Sequence, residues 1–340
     1  MGNEIKLRVT PLSTKARLLI ELRKNAGKPV SGSKLAADLG ISRVSVWKGI
    51  QSLINASYPV ETLNSGYVIP PELHNDFLYP WEFLQNEYKF NHYNNVSSTM
   101  DAARDLAMNK AAEDGTLVIA EKQEKGKGRG CNAWLSSQGG LYFTIIERPA
   151  LNIADYCLPL MLYQIAVARV LASRLGKQFT LRWPNDVYAG KRKIAGILTE
   201  LEGEGDSVKW LTIGIGVNVN NTVPLEGTVS CSDLAGRPVL RREILLEILN
   251  EAERLKKFSG TGIAYAQGNR FLAAEWNALA GCIGKKAAVL IPGTGNQVTK
   301  SRVVARGIYS GIDPAGRCVI KTQDEKEMLH FSPGPVSVVF

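Results

Sequence analysis

The segment WLTIGIGVNVN, Trp210 to Asn220, leaves little freedom to whatever surrounds it. Leu211, Ile213, Ile215 and Val217 recur at every second position, so in an extended strand they form one continuous apolar face. The alternate positions, Gly214, Gly216, Asn218 and Asn220, carry either no side chain or a short amide. Glycine weakens a strand interior, and two on one face make sense where something lies flat against the backbone. That neighbour is either a ligand or a closely packed helix. One face is committed to a core and the other is left open.

The surroundings of this strand read as α/β. KFNHYNNV and GTLVIAEKQ are strands separated by the helix STMDAARDLAMNKA, followed by the strand LYFTIIE, a long helix from about Asp155 to Leu175, and the strand FTLRWPND. KIAGILTEL and VKWLTIGIGVNVN then form a hairpin-like pair, and RREILLEILNEAERLKKF and AYAQGNRFLAAEWNAL supply covering helices. This order predicts a mixed sheet with helices on one side. From Gly281 the pattern becomes short strands and turns (GKKAAVLIP, GTGNQ, KSRVVARGIYSGIDPAGRCVIKT, PGPVSVVF), which suits a small β-barrel.

The first seventy residues are different again. LSTKARLLIELRKN has helical spacing, and SGSKLAADLGISRVSVWKGIQSL predicts a helix from about Ser33, a turn at Gly40 and a second helix capped by Ser42. Val46, Ile50 and Leu53 share its core face, which leaves Arg43, Trp47, Lys48 and Gln51 opposite. YPVETLNSGYVIPP adds two short strands around Asn64, Ser65 and Gly66, and Pro70 and Pro71 close a winged helix-turn-helix. Residues 1–70 hold ten Lys and Arg against four Asp and Glu, which is most of the chain's net charge of +9. A DNA partner fits that balance better than a protein partner does. The expected DNA-binding residues are Ser42, Arg43, Trp47, Lys48 and Gln51, Trp47 being the unusual one because it either meets a base or sugar or folds back onto the domain.

A membrane partner fits poorly. The longest apolar run, CLPLMLYQIAVARVLASRL, is broken by Pro159, Gln164 and Arg169 and reads as a buried helix. The start of the chain has no signal-peptide core, and Lys6 stands where a myristoylation signal following Gly2 requires Ser or Thr. The five cysteines are widely spaced with no CxxC pair, which suggests reduced thiols and a cytoplasmic setting.

Chemistry concentrates in EKGKGRGCNAW, Glu124 to Trp134. Its glycines let backbone N–H groups approach a negative oxygen, while Lys127 and Arg129 add cationic donors. The spacing is neither that of a Walker loop nor that of a dinucleotide fingerprint. A flexible basic loop suited to a carboxylate and a phosphate together points to acyl-adenylate formation. Ordering about ten residues costs roughly 1–2 kcal/mol each in backbone entropy, so the free loop is expected to be mobile until an anionic ligand binds. In RWPNDVYAGKRKIAGILTE, Asn185 and Asp186 sit at a strand end, and Lys193, Gly196, Gly214 and Gly216 are placed to border one cavity.

SSTMDAA, EKQEKGKGRGCNAWLS, RWPNDVYAGKRKIAGILTE, IGIGVNVN and GIDPAGRCVI occur in the order found in biotin protein ligases, and with the winged module the chain resembles the bifunctional bacterial ligases that also repress biotin genes. The resemblance implies a winged helix-turn-helix over residues 1–70, an α/β ligase domain over 71–280 and an SH3-like β-barrel over 281–340. It implies that biotin and ATP give biotinyl-5′-AMP and pyrophosphate, and that biotin then passes to a lysine of a biotin carboxyl carrier domain. Ser98, Thr99 and Gln123 are expected to bind the ureido end of biotin, with Lys127, Gly128, Arg129, Lys193 and Gly196 completing the biotin site. Arg129 and Lys193 are the expected catalytic pair. ATP is assigned Lys127, Arg129, Trp134 as an adenine platform and Asn218. Mg2+ accompanies ATP, with Asp186 near it. A homodimer on an operator is the expected repressor.

Three positions depart from the usual pattern: Lys127 replaces an arginine, Cys131 replaces a glycine and is expected to slow loop closure, and Trp47 replaces a smaller polar residue. Three alternatives stay open. They are a sensor that no longer transfers biotin, a lipoate ligase, and a ligase whose N-terminal domain is only structural.

Overall fold

The computed structural model describes residues 12–71, 76–83, 89–130, 132–258, 265–291, 302–322, 327–334 and 336–340. Contacts divide the chain into two units, Met1–Tyr88 and Lys89–Phe340.

In the first unit α1 (Thr14–Lys24), α2 (Gly32–Leu39) and α3 (Arg43–Asn55) precede the antiparallel pair β1 (Glu61–Leu63) and β2 (Gly66–Val68). The caps explain the boundaries. Ser31 Oγ accepts from Lys34 N–H, Gly40 ends α2 in the left-handed region, and Ser42 Oγ accepts from Ser45 N–H to start α3. Val46, Ile50 and Leu53 join Leu18, Leu22 and Leu35 in one core, as their spacing predicts. Gly66 is required at the wing: its φ is +139°, and a Cβ there would collide with the Val30 carbonyl that pairs with Tyr67. Beyond Pro71, Phe77, Tyr79 and Trp81 pack against the same core. Glu82 is buried between the Arg23 guanidinium (2.8 and 3.0 Å) and the Tyr58 hydroxyl.

The second unit is built on a seven-stranded sheet. Its strands are β3 (Phe90–Tyr93), β4 (Thr116–Ala120), β5 (Leu141–Glu147), β6 (Thr180–Arg182), β7 (Asp186–Ala189), β8 (Arg192–Glu204) and β9 (Ser207–Val217), in the order β3-β4-β5-β9-β8-β7-β6. Only β3 and β4 are parallel, so the sheet is mixed as expected. The glycine-bearing strand β9 lies between β5 and β8, and its apolar residues Leu211, Ile213, Ile215 and Val217 are buried. Helices α4 (Thr99–Met108), α5 (Cys157–Leu175), α6 (Cys231–Ala235), α7 (Arg241–Phe258) and α8 (Tyr265–Leu279) complete this layer. α5 is the one described helix long and apolar enough to cross a membrane. It is instead a core helix: it packs against α7, α8 and β8, and its buried Gln164 accepts a hydrogen bond from Trp276 Nε1.

Strands β10 (Lys286–Ile291), β11 (Arg302–Ile312), β12 (Cys318–Thr322), β13 (Met328–Phe331) and β14 (Ser337–Val339) form an antiparallel sheet ordered β13-β12-β11-β10-β14. The β-rich ending is therefore present. Among the described residues β13 and β14 are its two edges. The GTGNQ turn expected here lies outside the described residues. The β11–β12 turn is closed by Asp313, whose carboxylate accepts from Ala315 N–H, Arg317 N–H, Arg317 Nε–H and His330 Nδ1.

Candidate active site

In the second unit a cavity of about 700 Å3 is lined by residues of α4, the 126–134 segment, the β6–β7 turn, β8, β9 and the β-rich C-terminal region. This volume suits a small-molecule substrate. Of the expected residues it collects Thr99, Gln123, Lys127, Gly128, Arg129, Trp134, Asp186, Lys193 and Gly196. Ser98 and Asn218 are buried and are not among the lining residues. Ser98 Oγ caps α4 through Met100 N–H, and Asn218 Oδ1 accepts from Asn221 Nδ2.

Two lining residues, Thr99 and Gln123, are held by a neutral hydrogen-bond network that continues behind the cavity wall. Gln123 Oε1 accepts from Thr99 N–H at 2.7 Å and from Thr99 Oγ1 at 3.0 Å, and Gln123 Nε2 donates to Ser136 Oγ at 2.8 Å. Thr144 Oγ1 then donates to Thr99 Oγ1 at 2.9 Å. Each of these groups is oriented by another, so the network offers fixed partners to an uncharged polar ligand. Ser136 and Thr144 are members that sequence reasoning missed. The β-strand alternation of Thr144 on LYFTIIE was the signal available for one of them.

Another part of the lining is cationic. Lys127, Arg129, Arg182, Lys191, Lys193 and Lys285 face a single acidic side chain, Asp186. Lys193 Nζ lies 2.6 Å from Asp186 Oδ1. Lys127 Nζ meets Asp101 at 2.6 Å and Glu200 at 3.4 Å, with Arg104 bridging the same two carboxylates. Burial alone would raise the Asp101 pKa, but the Lys127 hydrogen bond and the Lys127 and Arg104 charges hold it below the usual carboxylate range. Burial weakens the basicity of Arg129, against the opposing charge of Asp186. Neither Lys191 nor Lys285 has an ion-pair partner among the described residues.

The basic loop has backbone structure of its own. It is folded into a hairpin in which Lys127 bridges Ala133, Gly128 N–H donates to Asn132 O at 2.8 Å and Trp134 N–H donates to Gly126 O at 2.8 Å. Gly130 turns the chain at a φ of +66°. Arg129 donates to the carbonyls of Gly334 and Val336 and to Ser337 Oγ. These contacts tie the hairpin to the C-terminal strands. Cys131, expected to slow closure, lies outside the described residues.

The open glycine face is also occupied, by protein. Gly196 and Gly216 pair across β8 and β9, and the Trp134 indole lies on both: a Cβ at Gly216 would stand 2.5 Å from Nε1, and one at Gly196 3.1 Å from Cζ3. Gly214 is covered by Met100 of α4. Of the two occupants left open by the sequence, the close helix is right for Gly214, whereas Gly216 is covered by neither of them but by the Trp134 side chain. Trp134 Nε1 is buried without a hydrogen-bond partner, and Lys193 Nζ stands 5.1 Å from its ring.

In the first unit α3 presents Arg43, Trp47 and Lys48 to solvent, while Gln51 is half-buried. Ser42 spends its hydroxyl on the cap and on Ser45 Oγ at 2.9 Å.

Residues 93–218 match the model of the biotin/lipoate A/B protein ligase family, and residues 15–68 match a model of an HTH domain. The bifunctional ligase/repressor BirA of Bacillus subtilis (strain 168) is 35% identical over 257 residues, covering 70% of this chain and 77% of that protein. The chain belongs to the bifunctional biotin ligase/repressor family. The Escherichia coli (strain K12) BirA is 28% identical over 260 residues, covering 72% of this chain and 78% of that one. Biotin protein ligase from Aquifex aeolicus, solved in complex with biotin and ATP, superposes with a TM-score of 0.58 at 27% identity over 74% of this chain and 98% of its own. In this ligase/repressor the matched ligase segment runs from β3 to just past β9 and holds the neutral network, the hairpin and Lys193. Lys285 and Ser337 lie outside it, so the cavity is completed by the β-rich region. No local sequence pattern marks those two residues.

Proposed function

We propose that this protein is an ATP-dependent ligase that activates biotin as biotinyl-5′-AMP, transfers it to a lysine of a biotin carboxyl carrier domain, and represses transcription in response to biotin. The observation that carries the ligase reading is the division of one cavity into a neutral hydrogen-bond network and a cationic wall. A urea needs the first, and a carboxylate beside a triphosphate needs the second.

In the first step a carboxylate oxygen of biotin attacks the α-phosphorus of ATP. The bond from that phosphorus to the α,β-bridging oxygen breaks, and pyrophosphate leaves with the electron pair. Thr99 and Gln123 hold the ureido end, with Ser136 positioning the Gln123 amide from behind. Lys193 and Arg129 stabilise the charge that gathers on the α-phosphate oxygens, in a site where water is displaced and each cation counts for more. Trp134 lies beside Lys193 and is placed to carry adenine. In the second step an uncharged carrier lysine attacks the acyl carbon, AMP leaves, and the new amide nitrogen loses its proton.

Magnesium fits this donor set only as a companion of the phosphates. No group of three or more His, Cys, Asp or Glu side chains able to hold a metal occurs among the described residues. Asp186 Oδ1 is buried with Lys193 Nζ 2.6 Å away as its ion-pair partner, and one carboxylate plus phosphate oxygens is a usual Mg2+ environment. Asp186 would hold the ion, which would offset triphosphate charge.

The repressor reading is supported by the helix-turn-helix and by the exposed cations of α3. A homodimer is part of it, because one winged module offers few contacts to a specific site. The same reading assigns residues 1–70 to DNA, 71–280 to ligation and 281–340 to an SH3-like barrel, for which the five antiparallel strands are the support. Biotin-dependent exchange of labelled pyrophosphate into ATP tests the activation step. Exchange with biotin and none with lipoate is expected, and exchange with lipoate alone would replace the reading.

A further inference from the structure

The N-terminal half of α3 displays two large apolar side chains that the domain core does not use. Val44 is 61% exposed and Trp47 is 54% exposed. They stand three residues apart and therefore share one side of the helix. Their flanks are cationic, with Arg43 before them and Lys48 after, and α3 contains no acidic residue at all. A single exposed apolar residue needs no explanation, but a pair on the part of a recognition helix that meets base edges does. The cations suit phosphates, and among the groups that base pairs present in the major groove only the thymine C5-methyl is apolar.

We propose that Val44 and Trp47 read thymine methyl groups, so that the operator carries A·T pairs at defined positions opposite these two side chains. The inference rests on the DNA-binding reading above and adds to it the chemical group recognised. Arg43 and Lys48 then supply affinity and register, and the apolar pair supplies sequence choice.

The test uses the full-length protein with biotin, ATP and Mg2+. Bound duplexes are selected from a randomised pool, and each thymine of the selected site is then replaced singly by deoxyuridine, which removes the methyl and leaves base pairing intact. Affinity is expected to fall about fourfold at the contacted positions, the equivalent of about 0.8 kcal/mol for one buried methyl. Val44→Ala should abolish the thymine preference at one position and Trp47→Ala at a neighbouring one, with ligase activity unchanged in both. Both side chains are largely exposed, so neither variant threatens the fold. Sequence-selective binding that is indifferent to every thymine-to-deoxyuridine change would overturn the inference and leave the repressor reading standing. Selection of sites with no A·T preference, or unchanged binding by both variants, would overturn it equally. The absence of any sequence-selective binding would remove the repressor reading itself.

Discussion

At the scale of single residues the proposed site rests on a few charges and on the glycines beneath Trp134. Arg129→Ala and Lys193→Ala should each lower biotin-dependent pyrophosphate exchange by about 10²–10³, the usual effect of removing one electrostatic contact to a transition state. Circular dichroism should show both variants folded, since both side chains are only partly buried. Gly216→Ala tests the floor beneath Trp134. Its Cβ would stand 2.5 Å from Nε1 of a rigid indole, so the ring must move, at about 1–3 kcal/mol of overpacking. A changed near-UV tryptophan spectrum and a raised KM for ATP are expected; a changed spectrum with an unchanged KM would show that the ring does not serve adenine. The alternation in WLTIGIGVNVN made the buried face of β9 legible, and the motifs named Thr99, Gln123 and Lys193. What covers the glycines was not legible, because Trp134 and Met100 reach them from distant parts of the chain.

At the scale of elements the 126–134 hairpin, which brings Lys127, Arg129 and Trp134 to the cavity, is the part on which catalysis should turn. Gly126→Ala puts a Cβ against the Trp134 carbonyl, a backbone clash that no rotamer relieves. Faster proteolysis of the hairpin and faster loss of bound adenylate are expected, measured by limited digestion and by radiolabel dissociation. Composition suggested a loop free until a ligand arrives. The ties from Arg129 to Gly334, Val336 and Ser337 were invisible because they span about two hundred residues of sequence. The β11–β12 turn gives a separate test. Burial opposes ionisation of Asp313, but Arg317 N–H, His330 and the Arg317 side chain hold its pKa below the usual carboxylate value. A folded pKa below the unfolded one adds stability that is complete above about pH 4 and is lost as pH falls through the folded value. The melting temperature of Asp313→Asn should therefore lie below that of the wild type at pH 7, and the difference should shrink below about pH 4. A constant difference down to pH 3 would mean that the carboxylate's charge is not what closes the turn.

At the scale of the whole molecule one chain joins a ligase to a winged helix-turn-helix unit, and each unit matches a family model. If the adenylate is the signal as well as the intermediate, it should strengthen dimerisation and operator binding together, since two ligands that favour one state must reinforce each other. Sedimentation and DNA titration with and without adenylate should both shift; a shift in neither would separate the repressor from the enzyme. The central claim is the transfer of biotin. The measurement that tests it most directly incubates the purified protein with ATP, Mg2+, labelled biotin and a biotin carboxyl carrier domain, beside a carrier whose acceptor lysine is replaced by arginine and a parallel reaction with lipoate. Label on the lysine-bearing carrier alone, from biotin and not from lipoate, is the predicted result. A protein that binds biotin and ATP yet leaves every carrier unlabelled would contradict it.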